Sequence, residues 1–461
     1  MRKPNVIYIL ADDMGYGDFG AFNPDVHTPA LDRLVEEGCT LEECYSASPV
    51  CAPARAGIMT GRYPHRTGVV DTLEARGLDR LNPDETTMAD VFRANGYDTG
   101  LVGKWHLGAI DPAYHPNNRG FDYFFGFRGG WSDYYQYHIE CNRQPVACEG
   151  QYLTDVFSEQ AVHYIREHRE RPFFLHLAYN CPHYPLMAPE AYVDKYRSTG
   201  KFTKEVAAIY GMIECMDAGI QKVLNALEEE GLYQDTILIF TSDNGPDLGA
   251  ESGNSALMRY NCGLRGSKMR VYEGGIKVPA VVVYKGRIAE KSSTAEVIHG
   301  IDWLPTLMHM CGLSYPKDLK LDGINVDGAF YGEPLPKRSV YWQWSRYRPE
   351  KYCNSAVRRG DLKFVHPPVA SFLELPQWEY DIDEDIKYHP EKYQDIIDRP
   401  VPERILPEAI QEELYDLAGD REETNNLVLQ CPQQTEELRH SLYAWFEDVD
   451  GDGRARTKIK E

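Results

Sequence analysis

The chain has 461 residues, 43% hydrophobic and 26% charged, enough for one large α/β body with a smaller companion. A formal charge of −22 argues against nucleic acid and anionic membrane surfaces as partners, and no apolar stretch approaches the roughly 20 residues of a membrane span. The eleven cysteines are scattered and contain no CxxC pair, and MRKP runs straight into NVIYIL without a signal-peptide core, so a reducing, cytoplasmic setting is expected.

Short runs of Val, Ile, Leu and Phe alternate with helical patterns, which predicts a mostly parallel sheet covered on both faces. NVIYIL (5–10) reads as the first strand, and TPALDRLVEEG (28–38) as a helix with a Thr-Pro start and a Gly stop. TTMADVFRANG (86–96) is a second helix, followed by strands TGLV (99–102) and PFFLHLAY (172–179). A long amphipathic helix covers 204–231, and DTILIFTS (235–242) and VPAVVVY (278–284) are further strands. We place the end of this large unit, 1–335, where the texture changes. The remainder, 336–461, reads as an α+β subdomain in which 339–344 and 356–365 form antiparallel strands and 435–449 a closing helix. Within it, 367–408 is Pro-rich, acidic and aromatic, an excursion expected to have little regular structure and to wrap a neighbour or close over a pocket.

Open parallel sheets bind ligands beyond the carboxyl ends of their strands, and four predicted strands run into reactive residues there. The first ends in ADDMG (Asp12, Asp13), TGLV leads into GKWHLG (Lys104, His106), PFFLHLAY into NCPHYP (His183), and DTILIF into TSDNG (Asp243, Asn244). Asp12, Asp13, Asp243 and Asn244 offer hard oxygen donors suited to Ca²⁺ or Mg²⁺ rather than zinc. Lys104, His106, His183 and Lys268 would add positive or proton-donating groups, although a lone Lys or His is as readily a surface or core residue. In SPVCAPARAGIMTG, Pro53 suits a first helical turn, which sets Cys51 at a helix N-terminus with Arg55 one turn further on. Such a cysteine reads either as a small buried hydrophobe or as a thiolate nucleophile.

A third reading comes from resemblance. CAPARAGIMTG (51–61) resembles the C-x-P-[SA]-R-x-x-x-[LM]-T-G signature of the type I sulfatases, in which the cysteine is oxidised to formylglycine (3-oxoalanine) by a sulfatase-maturating enzyme. The DD pair, GKWHLG, PHYP, SDNG, GSK and LYDLAGDREETNNL (414–427) follow in the family's order, and the one soft departure is Ala54, where serine is commoner. The resemblance implies an alkaline phosphatase-like fold and hydrolysis of sulfate monoesters by one hydroxyl of the hydrated aldehyde, the other hydroxyl then driving sulfate out. It implies Asp12, Asp13, Asp243, Asn244 and the modified Cys51 as calcium ligands, with Mg²⁺ the other candidate ion. Arg55 and Lys104 would hold the nucleophile, His106 would be the base that triggers sulfate expulsion, and His183 and Lys268 would bind sulfate and protonate the leaving oxygen.

The loops 71–80, 129–138 and 342–348 could ring such a site, with Trp131, Tyr135 and Arg346 as substrate contacts; an aromatic rim favours a sulfated saccharide over a small aryl sulfate. The rival within the superfamily is a phosphonate or phosphate monoester hydrolase, whose members tend to carry histidine where Asn244 stands. A non-catalytic relative and an unmodified cysteine hydrolase are the remaining alternatives. DVDGDG (448–453) opens like an EF-hand loop, but Ile459 occupies position twelve and the segment reads as a solvated acidic tail.

Overall fold

A computed structural model describes residues 3–249 and 253–456. Among these, ten strands form one sheet in the order 292–294, 39–41, 280–283, 236–242, 5–11, 173–178, 98–104, 123–127, 139–141, 144–146. The five central strands are parallel, and the 280–283 strand pairs antiparallel with Thr236–Ser242. In the first strand, Asn5–Ala11, alternate residues serve opposite faces. Ile7, Ile9 and Ala11 enter the core beneath helices Leu153–Glu167 and Lys204–Glu229, while Val6, Tyr8 and Leu10 enter the core shared with helices Cys51–Thr60 and Trp303–Met310. Burial on both faces is why the strand reads as an unbroken apolar run rather than as an alternation.

The large sheet is therefore the doubly covered, mostly parallel one expected, and a second, four-stranded antiparallel sheet follows it: Ser339–Gln343, Ser355–Arg359, Leu362–His366 and Glu413–Asp416. Helix Pro432–Arg456 lays Leu438, Leu442, Trp445, Phe446 and Val449 on one face of this sheet, together with Tyr63 and Ile301 of the large unit. The other face packs Val340, Trp342 and Val365 against Tyr45, Val271 and Ile276. Each large apolar side chain buried this way contributes about 1.5–3 kcal/mol, so the small sheet is welded to the large one.

Two expectations about the C-terminal part need correcting. Residues 448–453 are not a solvated tail: they continue helix Pro432–Arg456, with Asp448 paired to Arg66 and Asp452 to Arg62 (2.7 Å), while Ile459 lies outside the described residues. The 367–408 excursion holds a three-turn helix, Gln377–Tyr388. Pro376 precedes it, and Glu379 and Ile386 are its buried residues, a pattern that the surrounding acids and prolines obscured.

Candidate active site

Strand register brings the reactive residues together. Asn5–Ala11 and Thr236–Ser242 run in step, Ala11 opposite Ser242, so Asp12 and Asp243 leave the sheet side by side. On the other flank Gly103 lies opposite Ala178, and only glycine fits: its φ is +115° and a Cβ would stand 1.9 Å from the Ala178 carbonyl oxygen. That close approach carries Lys104 and His106 toward the same strand ends. Helix Cys51–Thr60 begins at this point, and Gly61, in the left-handed region at φ 65°, ends it.

At the centre, carboxylate oxygens of Asp12, Asp13 and Asp243 lie within 4.8 Å of one another, and so do Cys51 Sγ, an Asp12 oxygen and a His183 ring nitrogen. Three cations answer the three carboxylates. Lys104 Nζ donates to Asp12 Oδ2 (2.6 Å), Arg55 Nε to Asp243 Oδ2 (2.8 Å), and Lys268 Nζ to Asp13 Oδ2 (2.9 Å). All six side chains are buried. Lys268 and His183 hold the Asp13 carboxyl well below its usual range despite burial, whereas burial and the neighbouring Asp12 push Asp243 up to about 6. Burial also raises the Cys51 thiol to about 11, against the pull of Lys104 and Lys268. Burial thus favours the thiol over the thiolate at residue 51.

The donor chemistry fits a hard divalent cation. Asp12 Oδ1 and Asn244 Oδ1 are buried acceptors with no hydrogen-bond partner among the described residues, while Asn244 Nδ2 donates to Asp13 Oδ1 (2.7 Å), which turns the amide oxygen away from Asp13. An oxygen-only set of this kind suits Ca²⁺ or Mg²⁺. With three carboxylates already matched by three cations, a bound dication leaves the pocket positive, as an anionic substrate requires.

The two histidines are set differently. His106 Nε2 stands 3.3 Å from the Thr72 carbonyl, an acceptor only, so Nε2 carries the hydrogen and the buried Nδ1 keeps its lone pair. Burial, reinforced by Lys104, Lys387 and Arg55, holds this imidazole neutral, its pKa well below the ordinary histidine value. His183 Nδ1 donates to the Tyr184 carbonyl (2.8 Å), and its Nε2 accepts from Lys268 Nζ (3.1 Å).

A cavity of about 490 Å³ opens over Cys51, His106, His183 and Lys268. All three loops expected to ring the site reach its wall, through Thr72, Trp131 and Arg346 among others. Tyr135 does not: its backbone N–H closes a turn on Asp133 Oδ1 (2.7 Å), and its ring packs 5.4 Å from Tyr152, away from the cavity lining. The fourth wall comes from helix Gln377–Tyr388, with Tyr380, Asp383 and Glu384. Contacts that dock that helix include Lys387 to Glu74, Trp131 Nε1 to Asp383 (2.9 Å), Arg76 Nε and Tyr347 Oη to Glu379 (2.7 and 2.8 Å) and Tyr388 to Asp133 (3.3 Å). The excursion thus supplies one wall of the pocket.

A family model described as Sulfatase matches residues 4–313, and one described as N-sulphoglucosamine sulphohydrolase, C-terminal, matches 266–412. The chain belongs to the sulfatase family. That family is one of sulfuric ester hydrolases. The chain is 34% identical over 342 residues to arylsulfatase J of Mus musculus, covering 70% of this chain but only 55% of the mouse protein. It is 32% identical over 444 residues to the uncharacterized sulfatase YdeN of Escherichia coli (strain K12), covering 82% of this chain and 77% of that one. Among solved structures, Ps i-CgsB in complex with k-i-k-neocarrahexaose superposes with a TM-score of 0.81 at 27% identity, over 100% of this chain and 98% of that one.

Proposed function

We propose that this sulfatase-family chain hydrolyses sulfate monoesters of saccharides at a calcium-bound formylglycine formed from Cys51 by a maturating enzyme. The observation that carries the reading is the placement of Cys51 Sγ within 4.8 Å of both Asp12 and His183, at strand ends that also hold a buried oxygen cradle. Ca²⁺ and formylglycine would supply the charge neutralisation and the hydroxyl nucleophile that a thiol of raised pKa cannot. Asp12, Asp13, Asp243 and Asn244, with the residue at 51, would hold the ion.

The remaining roles follow from the chain's own groups. Arg55 and Lys104 stand fixed and buried beside residue 51, where they offset negative charge developing as the ester breaks. His106, neutral and with Nδ1 unengaged, can take a proton from the group at 51 and so release sulfate. Lys268 and His183 form one hydrogen-bonded pair facing the cavity. Lys268 Nζ holds the transferable proton of the pair; we assign its passage to His183 Nε2, on the more exposed member, and from there to the departing sugar oxygen, which leaves Lys268 as the neutral amine. The crystallised Ps i-CgsB complex with a neocarrahexaose and the aromatic wall built by Trp131 and Tyr184 both support a saccharide ligand.

The test is mass spectrometry of the Cys51 peptide from active protein, together with turnover of sulfate and phosphate esters of one leaving group. The expected result is conversion of Cys51 and preference for sulfate. Intact cysteine in fully active protein, or phosphate preferred at saturation, would overturn the reading.

A further inference from the structure

We propose that helix Gln377–Tyr388 sets the substrate class of the pocket, and that Asp383 and Glu384 restrict it to saccharides with no second anionic group close to the sulfate being removed. The inference rests on the sulfatase reading above and adds to it the charge and hydroxyl pattern of the sugar.

The pocket has two electrostatic zones. Its floor is the centre around Cys51, where three cations match three carboxylates and a bound divalent ion would make the balance positive. The arginines of its wall are already engaged by carboxylates, Arg259 by Asp18 (2.6 and 2.8 Å) and Arg346 by Asp71 (3.1 Å), and Lys387 of the helix, which does not line the cavity, is engaged by Glu74. The helix then adds Asp383 and Glu384 to the same wall. Glu384 is exposed, and Asp383, whose side chain is 37% exposed, lies 3.8 Å from Lys387 while accepting the Trp131 indole N–H.

This wall repels a second sulfate or a uronate carboxylate. Two like charges 6–8 Å apart near a protein surface interact strongly enough to change binding about tenfold, and salt weakens the effect. For a neutral ring the same groups are favourable, because carboxylate oxygens accept hydrogen bonds from sugar hydroxyls while Trp131 and Tyr184, edge to face at 5.5 Å, offer apolar ring surface. The ligand chemistry is therefore a singly sulfated, otherwise uncharged sugar with free hydroxyls beside the sulfate.

The experiment uses matured, calcium-loaded enzyme on 4-nitrophenyl sulfate, the four galactose monosulfates and their disulfated counterparts, comparing kcat/KM. The expected result is at least a tenfold preference for the best monosulfate over every disulfate that contains it. That ratio should narrow at least threefold in the Asp383→Asn/Glu384→Gln double variant, each enzyme being normalised to its own rate on 4-nitrophenyl sulfate, and should narrow in the wild type at 0.5 M salt. Glu384→Lys, at the exposed position, should move the ratio in the same direction. Turnover of the aryl ester with equal use of mono- and disulfates, or with a ratio indifferent to all three changes, overturns this inference and leaves the sulfatase reading standing; turnover of the aryl ester with no saccharide used overturns this inference and the saccharide part of that reading, leaving sulfate-ester hydrolysis. Loss of sulfate-ester turnover across the whole panel refutes both.

Discussion

His183 hands one ring nitrogen to a backbone carbonyl and the other to Lys268, and on the reading proposed above that pair serves the leaving group. Replacing it with Asn should slow a sugar sulfate about a hundredfold or more, because an alkoxide departs poorly without a proton. The loss should be far smaller on 4-nitrophenyl sulfate, whose leaving group needs none. Equal losses on the two esters would remove His183 from the proton path. At this scale most of the site was legible beforehand: ADDMG, GKWHLG, PHYP and SDNG sit directly after apolar runs, so their residue types and their positions at strand ends both speak. Tyr135 misled because a tyrosine in a loop carries no direction, and here the Asp133 turn sends its ring to Tyr152.

Helix Gln377–Tyr388 is held to the body by a buried ion pair of its Lys387 with Glu74, and Glu74 keeps the Lys387 pKa above the ordinary lysine value against the opposing effect of burial. Glu74 also accepts the Gly130 N–H beside the His106 ring. Lys387→Met leaves Glu74 buried without its cation, a loss of about 3–5 kcal/mol in comparable pairs. Faster amide exchange across 377–388 and a lowered Tm are expected, with much of both recovered when Glu74→Gln is added. A double variant as unstable as the single one would argue that packing, not charge, docks the helix. This element escaped the sequence reading for a physical reason. Its intrinsic signal is weak, and it forms because Arg76, Trp131, Asp133 and Glu74, all distant in sequence, supply partners for it.

Across the molecule, three carboxylates converge at one point of a chain with a net charge of −22. A cation bound there should stabilise the whole fold by mass action, by about 2.7 kcal/mol at a hundred times its dissociation constant. Adding calcium to EDTA-treated protein should therefore raise Tm by several degrees, and Asp243→Asn should abolish that response. An unchanged Tm in the wild type would argue against the cradle. The large sheet was readable because buried parallel strands are continuous apolar runs with reactive residues at one end only. The small sheet was readable only in part: 356–365 holds two strands, Ser355–Arg359 and Leu362–His366, Glu413–Asp416 was missed, and Trp342 and Val365 look like ordinary strand residues until Tyr45 and Val271 are found packed against them.

The strand-end cluster and part of the cavity wall above it are written in separable stretches of this chain. The helix that walls the cavity is inserted between two neighbouring strands, Leu362–His366 and Glu413–Asp416, and no residue of the inserted stretch belongs to the oxygen cradle. Exchange of that connection during divergence would rebuild the cavity wall while the cluster around Cys51 is inherited untouched.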